Sequence, residues 1–366
     1  MKSKNILKEM TPYQPGQRIE QVKKEYGLNR IVKLASNENP FGYSGKVADH
    51  FSRQPSALNI YPDGYTTDLR HALAAKLDVS ENQLIFGSGT DEIVQIIGRA
   101  FLYPGINTVM AAPTFPQYKH NALVEGAEVK EVPTVNGYHD LTGMLEAIDD
   151  KTNVVWLCSP NNPTGCLIPR DQLYAFMEKC PEDILVVLDE AYFEYINGEL
   201  HPDVLKHLNQ YNNLVVLRTF SKAYGLAGLR VGYGIANHEL ITAMDVVRGP
   251  FNTSSIAQHA ALLALEDDEF IEDTVSRNSM IKKSFEQFLD SIGWHYFDSH
   301  TNFLLVSTPI SGEQVFQHLL EKGFIVRPGE GLGVPESIRV TIGNETDMQQ
   351  LQEVLYQLHH NINEGS

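Results

Sequence analysis

Between residues 84 and 236, short runs of branched apolar residues alternate with stretches of helical period, and this constrains the fold more than any other feature of the sequence. The runs fall at 84–86, 108–112, 153–158, 184–188, 214–218 and 231–236. A run such as Ile184, Leu185, Val186, Val187 and Leu188 has no polar alternation, so it reads as a strand buried on both faces. Strand and helix in alternation predict a mostly parallel sheet covered by helices. At 366 residues the chain exceeds one small core, and 42% hydrophobic content suffices for more than one. Beyond residue 250 the texture changes: helical periodicity dominates 255–292, then short strands at 302–306, 325–327 and 338–342 flank a helix at 312–322 before a closing helix at 346–360. The expected fold class is therefore α/β, with a polar arm (1–30), a large domain with a mostly parallel sheet (31–250) and a smaller α+β domain (251–366).

A parallel sheet brings the C-terminal ends of its strands to one edge, where α/β proteins bind ligands. Those ends carry unusual residues here. The strand at 84–86 runs into Gly87, Ser88, Gly89, Thr90 and Asp91, a glycine turn opening a helix, where free N–H groups and the helix dipole favour an anion. Neither GxGxxG nor GxxxxGK[ST] is present, and Thr90 alone also reads as an ordinary helix cap. After 108–112 comes Phe115, placed either to stack on a planar ring or to pack in a core. SPNNPTG follows 153–158, a tight turn presenting Asn161 and Asn162. Asp189 ends the run 184–188 at the border of a low-dielectric interior, which requires a cation or a donor to meet it, and Tyr192 follows. The stretch LRTFSKAYGLAGLRVGYG (217–234) sets Lys222 after an apolar strand, with Thr219, Ser221 and Arg230 near it. An amine at a strand end, walled by apolar groups and close to another cation, has its pKa pushed down and becomes nucleophilic enough to form a Schiff base with an aldehyde.

These ends converge on one crevice and together suit a pyridine aldehyde bearing a phosphate, pyridoxal 5′-phosphate. Lys222 would hold the aldehyde, Asp189 would keep the ring nitrogen protonated, and Phe115 would stack on the ring. The Gly89 and Thr90 backbone with Thr219, Ser221 and Arg230 would take the phosphate, while Asn162 and Tyr192 would bind the ring hydroxyl. The formal net charge of −17 argues against a nucleic-acid or anionic-membrane surface, yet convergent arginines can still bind small anions. Cys158, Cys166 and Cys180 form no CxxC pair and the N-terminus lacks an apolar signal core, so a reducing cytoplasm, and neither metal knuckle nor disulfide framework, is expected.

SPNNPTG, LDEAY and RTFSKAYGLAGLRVG, with TPYQPG, LASNENPFG, YPDG, GSGTDE and ESIRVTIG, resemble the fold-type I pyridoxal-phosphate-dependent aminotransferases, and in detail the histidinol-phosphate aminotransferases, over nearly the whole chain. The resemblance implies the family fold, with the small domain packed on part of the N-terminal segment. It places the Schiff base on Lys222, the pyridinium partner on Asp189, ring-oxygen contacts on Asn162 and Tyr192, and phosphate contacts on Ser221, Arg230 and the turn Gly89, Thr90 and Asp91. Tyr61 would reach over from a second subunit of a homodimer with shared active sites. Arg339 matches the arginine that binds the substrate's anionic end, supported by Arg327, Tyr13 and Asn37. The implied reaction is transamination between L-histidinol phosphate and 2-oxoglutarate, giving imidazole acetol phosphate and L-glutamate in histidine biosynthesis. An aromatic amino-acid aminotransferase and a phosphothreonine-type decarboxylase are the alternatives; a cofactor-sensing regulator would need a DNA-binding domain for which no basic helix-turn-helix pattern exists.

Overall fold

Strands without polar alternation need a covering layer on each face, and Leu185–Asp189 and Leu214–Thr219 are buried along their whole length. The computed structural model describes residues 3–8, 10–11, 19–53 and 57–364. Its strands are β1 (Val32–Lys33), β2 (Leu84–Gly87), β3 (Asn107–Ala112), β4 (Glu128–Pro133), β5 (Thr152–Cys158), β6 (Leu185–Asp189), β7 (Leu214–Thr219), β8 (Gly232–Ala236), β9 (Phe303–Ser307), β10 (Phe324–Ile325), β11 (Arg327–Pro328) and β12 (Ser337–Thr341). The central sheet has the order β2-β8-β7-β6-β5-β3-β4. Every neighbouring pair is parallel except those made by β8, which runs against both β7 and β2.

Period-two geometry divides the sheet residues between two cores. Val155, Leu157, Val186, Leu188 and Val216 face one helical layer, while Val154, Trp156, Val187, Val215 and Leu217 face the other. The first layer includes the helix Ser255–Leu265, whose Ala257, Ala260, Ala261 and Ala264 join the larger core. A separate core gathers around the antiparallel sheet β11-β12-β9 and the helices Gly312–Glu321 and Glu345–Glu364. Val22, Val32, Leu34 and Ala35, from early in the chain, also belong to it. They arrive there because β1 pairs in parallel with β10, Val32 opposite Phe324, and the Thr341 N–H donates to the Leu34 carbonyl at 2.9 Å. The segment after β1 is thereby threaded between the two cores.

Candidate active site

The ends of β2, β3, β5, β6 and β7 lie on one edge of the central sheet because those strands run the same way. β8 begins at that edge, Gly232 opposite both Gly87 and Thr219, so the residues just before it are delivered to the same place. This reversal is what puts Arg230 beside residues that end the forward strands. A cavity of about 410 Å³ opens there, lined by Asn37, Thr90, Asp91, Phe115, Asn162, Asp189, Tyr192, Thr219, Ser221, Lys222, Arg230, Arg327 and Arg339 among others.

Three subsites differ in chemistry. At the first, Arg230 donates to Ser221 Oγ at 3.2 Å and lies 3.4 Å from the Asp91 carboxylate. The Ser221 N–H donates to Thr219 Oγ1 at 3.1 Å, which closes the turn after β7. Gly89, with φ 77°, opens the helix Thr90–Phe101, and a Cβ on it would collide with the Arg230 guanidinium. Serine, guanidinium and helix N-terminus together have the chemistry to receive a phosphate.

The second subsite is acidic. Asp189 is buried, and its described partners are the Tyr118 hydroxyl, donating at 2.7 Å, and the Ala191 N–H at 3.1 Å, neither of them cationic. Burial pushes its carboxyl up to about 6, against the pull of those donors. Such a group is poised to meet a cation from the cavity. Tyr118 itself is fully buried and stacks on Trp156, with centroids 4.7 Å apart, so the phenol is rigidly aimed. Phe115, one helical turn before Tyr118, sits edge-on to it at 5.5 Å and presents its ring to the cavity.

The third subsite holds the amine and two guanidinium groups. Lys222 Nζ donates to the Ser36 carbonyl at 3.3 Å and lies 5.6 Å from the centre of the Tyr192 ring. Its ammonium is pushed down to about 8, chiefly by desolvation and then by the positive charge of Arg339. Arg339 donates to Asn162 Oδ1 at 2.6 Å and to the Ala35 carbonyl at 2.8 Å. Arg327 faces it across the β11–β12 ladder. Asn161 is wholly buried and spends its side chain on Thr114, Pro113 and Thr164, which leaves Asn162 as the asparagine of SPNNPTG that reaches the cavity.

Two expected positions stand apart. Tyr61 does not line the cavity of its own chain; it is 79% exposed and stacks on Phe251 at 4.8 Å. Tyr13 lies outside the described residues. Sequence reasoning missed Tyr118 although a signal was there, since i and i+3 on a helix share a face and Phe115 was already placed. It also missed the carbonyls of Ala35 and Ser36 and the hydroxyl of Thr341, for which the sequence holds no local cue. Replacing Tyr118 with phenylalanine should leave the fold intact, raise the Asp189 carboxyl above about 6 and weaken retention of a cationic ring roughly fivefold, the value of about 1 kcal/mol for one hydrogen bond; a pH titration of ligand binding checks it.

The residues present fit pyridoxal phosphate: a buried carboxylate without a described cationic partner, a glycine cradle beside serine and arginine, and a lysine of depressed pKa share one cavity. The family model described as aminotransferase class I and II matches residues 29–357. The chain is 55% identical over 363 residues to histidinol-phosphate aminotransferase 2 of Oceanobacillus iheyensis, covering 99% of this chain and 100% of that one. It is 51% identical to the histidinol-phosphate aminotransferase of Bacillus subtilis, with 98% and 100% covered. Among solved structures, the histidinol-phosphate aminotransferase of Sinorhizobium meliloti in complex with pyridoxal-5′-phosphate superposes with a TM-score of 0.89 at 26% identity, covering 98% of this chain and 97% of that one.

Proposed function

The chain belongs to the class I and II aminotransferases, and from that premise we propose that it transfers the amino group of L-histidinol phosphate to 2-oxoglutarate, giving imidazole acetol phosphate and L-glutamate in histidine biosynthesis. The observation that carries the reading is the joint placement of Lys222, Asp189 and Arg339 in one cavity, within a chain more than half identical over its length to an enzyme of that name. When bound, pyridoxal phosphate supplies an aldehyde for the exchanged amino group and a protonated ring that withdraws electrons from the substrate.

The protein's own residues supply the rest. Asp189 would hold the ring nitrogen proton, with Tyr118 and the Ala191 amide fixing the orientation of its carboxylate. Ser221, Arg230 and the start of the helix Thr90–Phe101 would hold the phosphate, and Asn162 and Tyr192 would meet the ring hydroxyl. Lys222, its ammonium pushed down to about 8, would hold the cofactor, and as the neutral amine it would accept and return the substrate Cα proton at Nζ. Arg339, seconded by Arg327, binds the anionic end of either substrate, because a guanidinium fork accepts a carboxylate or a phosphate monoester equally. A comparison of kcat/KM tests the substrate: histidinol phosphate is expected to exceed phenylalanine and tyrosine by at least about tenfold, and equal values would replace the reading with a broad aromatic aminotransferase.

The working unit is a homodimer in the cytoplasm. Leu58, Ile60, Tyr61 and Tyr65 are well exposed and Phe251 is half-exposed, which leaves an apolar surface that a second copy would cover while Tyr61 enters the neighbouring site. No helix among the described residues is long and apolar enough to cross a membrane. Sedimentation equilibrium should give a dimer, and Tyr61→Ala should raise KM for the cofactor several-fold; an active monomer would remove the shared site.

A further inference from the structure

Asn37 is 2% exposed and holds a left-handed backbone, φ 56°, at the centre of a set of contacts between the two cores. Its backbone N–H donates to Thr341 Oγ1 at 2.9 Å, and its carbonyl accepts from Asn302 Nδ2 at 3.0 Å. The Thr341 hydroxyl, accepting there, donates its own proton to Asn37 Oδ1 at 3.0 Å. That contact orients the carboxamide, whose Nδ2 donates to the Tyr192 hydroxyl oxygen at 2.8 Å. A phenol oxygen that accepts from one side turns its proton elsewhere, and the open direction is the cavity Tyr192 lines.

We propose that Asn37 is a positioning residue: together with Thr341 it fixes the Tyr192 hydroxyl as a donor toward the ring oxygen of the cofactor. This rests on the cofactor reading above. A donor at that oxygen stabilises its negative charge and so sets the pH at which the lysine-linked cofactor loses its proton. Arg339 and Thr341 are two residues apart on β12 and so share a face of the strand, which means that one strand of the smaller core carries both the substrate anchor and the start of the relay. The charged and titratable groups around the Tyr192 hydroxyl are Arg339 from β12 and Cys158 and Asp189 from the central sheet, with Lys222 5.6 Å from the ring centre; of the variants below only those carrying Asn37→Asp add a charge to this set.

The test follows the visible absorbance of the holoenzyme against pH. Asn37→Asp keeps the backbone conformation, which aspartate also tolerates, but presents an acceptor to Tyr192. The phenol proton then turns away from the cofactor, and the titration midpoint should rise by about one pH unit, the size of one hydrogen bond to a charged atom. Tyr192→Phe should give a similar rise. The double variant should add little to Tyr192→Phe alone, whereas a through-space effect of the new carboxylate would add in full. Thr341→Val should also raise the midpoint and Thr341→Ser should restore it. A moved midpoint in Tyr192→Phe with an unmoved one in Asn37→Asp, or additivity in the double variant, overturns the relay alone. An unmoved midpoint in Tyr192→Phe overturns the placement of Tyr192 at the ring oxygen and the relay with it.

Discussion

Replacing Lys222 with alanine is expected to lower turnover by about 10⁴-fold or more and to abolish the absorbance of the lysine-linked cofactor at the same time. The two losses are expected together because, on the proposed reading, one nitrogen would both hold the cofactor and move the proton. Lys222→Arg is expected to be as inactive, since a guanidinium keeps the charge but neither attacks a carbonyl nor gives up a proton near neutral pH. Steady-state kinetics with a visible spectrum checks both variants, and normal turnover in Lys222→Ala would sink the assignment. The same substitution carries a stability signature in the protein without cofactor. The folded ammonium sits at about 8, below its ordinary 10.5, so the unfolded chain binds more protons between those values. Stability from this group therefore rises with pH across that window, and the alanine variant loses the rise.

Asp189→Asn should reduce kcat by roughly 10²- to 10³-fold, the scale of removing one preorganised electrostatic contact, because an amide keeps the size and the Tyr118 contact but not the charge that, on the proposed reading, would hold a ring proton. It should also make the cofactor-free protein more stable at pH 7. The folded carboxyl lies at about 6 against an ordinary 3.8, so the favourable protonated form is lost as pH rises through about 6. Above that, the buried charge costs on the order of 2–3 kcal/mol, which asparagine removes. Loss of activity with gain of stability marks a residue kept for function at the expense of the fold. Denaturant titration of the cofactor-free variant alongside its kinetics reads both; a variant that is inactive and less stable would mean Asp189 is mainly structural.

How far the site was legible follows from where its information lies. Gly89, Asn162, Asp189, Ser221 and Lys222 each follow a strand whose character is written locally in branched apolar residues, so the rule for strand ends sufficed to bring them together. Arg230 was placed from the resemblance and from nearness to Lys222, but its position depends on β8 running against β7. Hydrophobic periodicity carries no sign of direction. Tyr118 hid in a helix whose pattern is dominated by packing, and its hydroxyl contact to Asp189 spans 71 positions.

The sequence by itself determined the alternation, hence the class of sheet, its ligand-binding edge and the polar residues delivered to that edge, because those depend on local period and strand sense within βαβ units. Tertiary structure decided the rest of the pocket. Arg339 meets Asn162 across 177 positions, and Asn37 meets Thr341 across 304. Those meetings exist because β1 pairs with β10 and its neighbours are buried in the smaller core, which draws the segment 34–37 across the mouth of the larger sheet. Burial of Val32, Leu34 and Ala35 is a bulk, non-directional gain, and only the folded chain fixes which surface receives them.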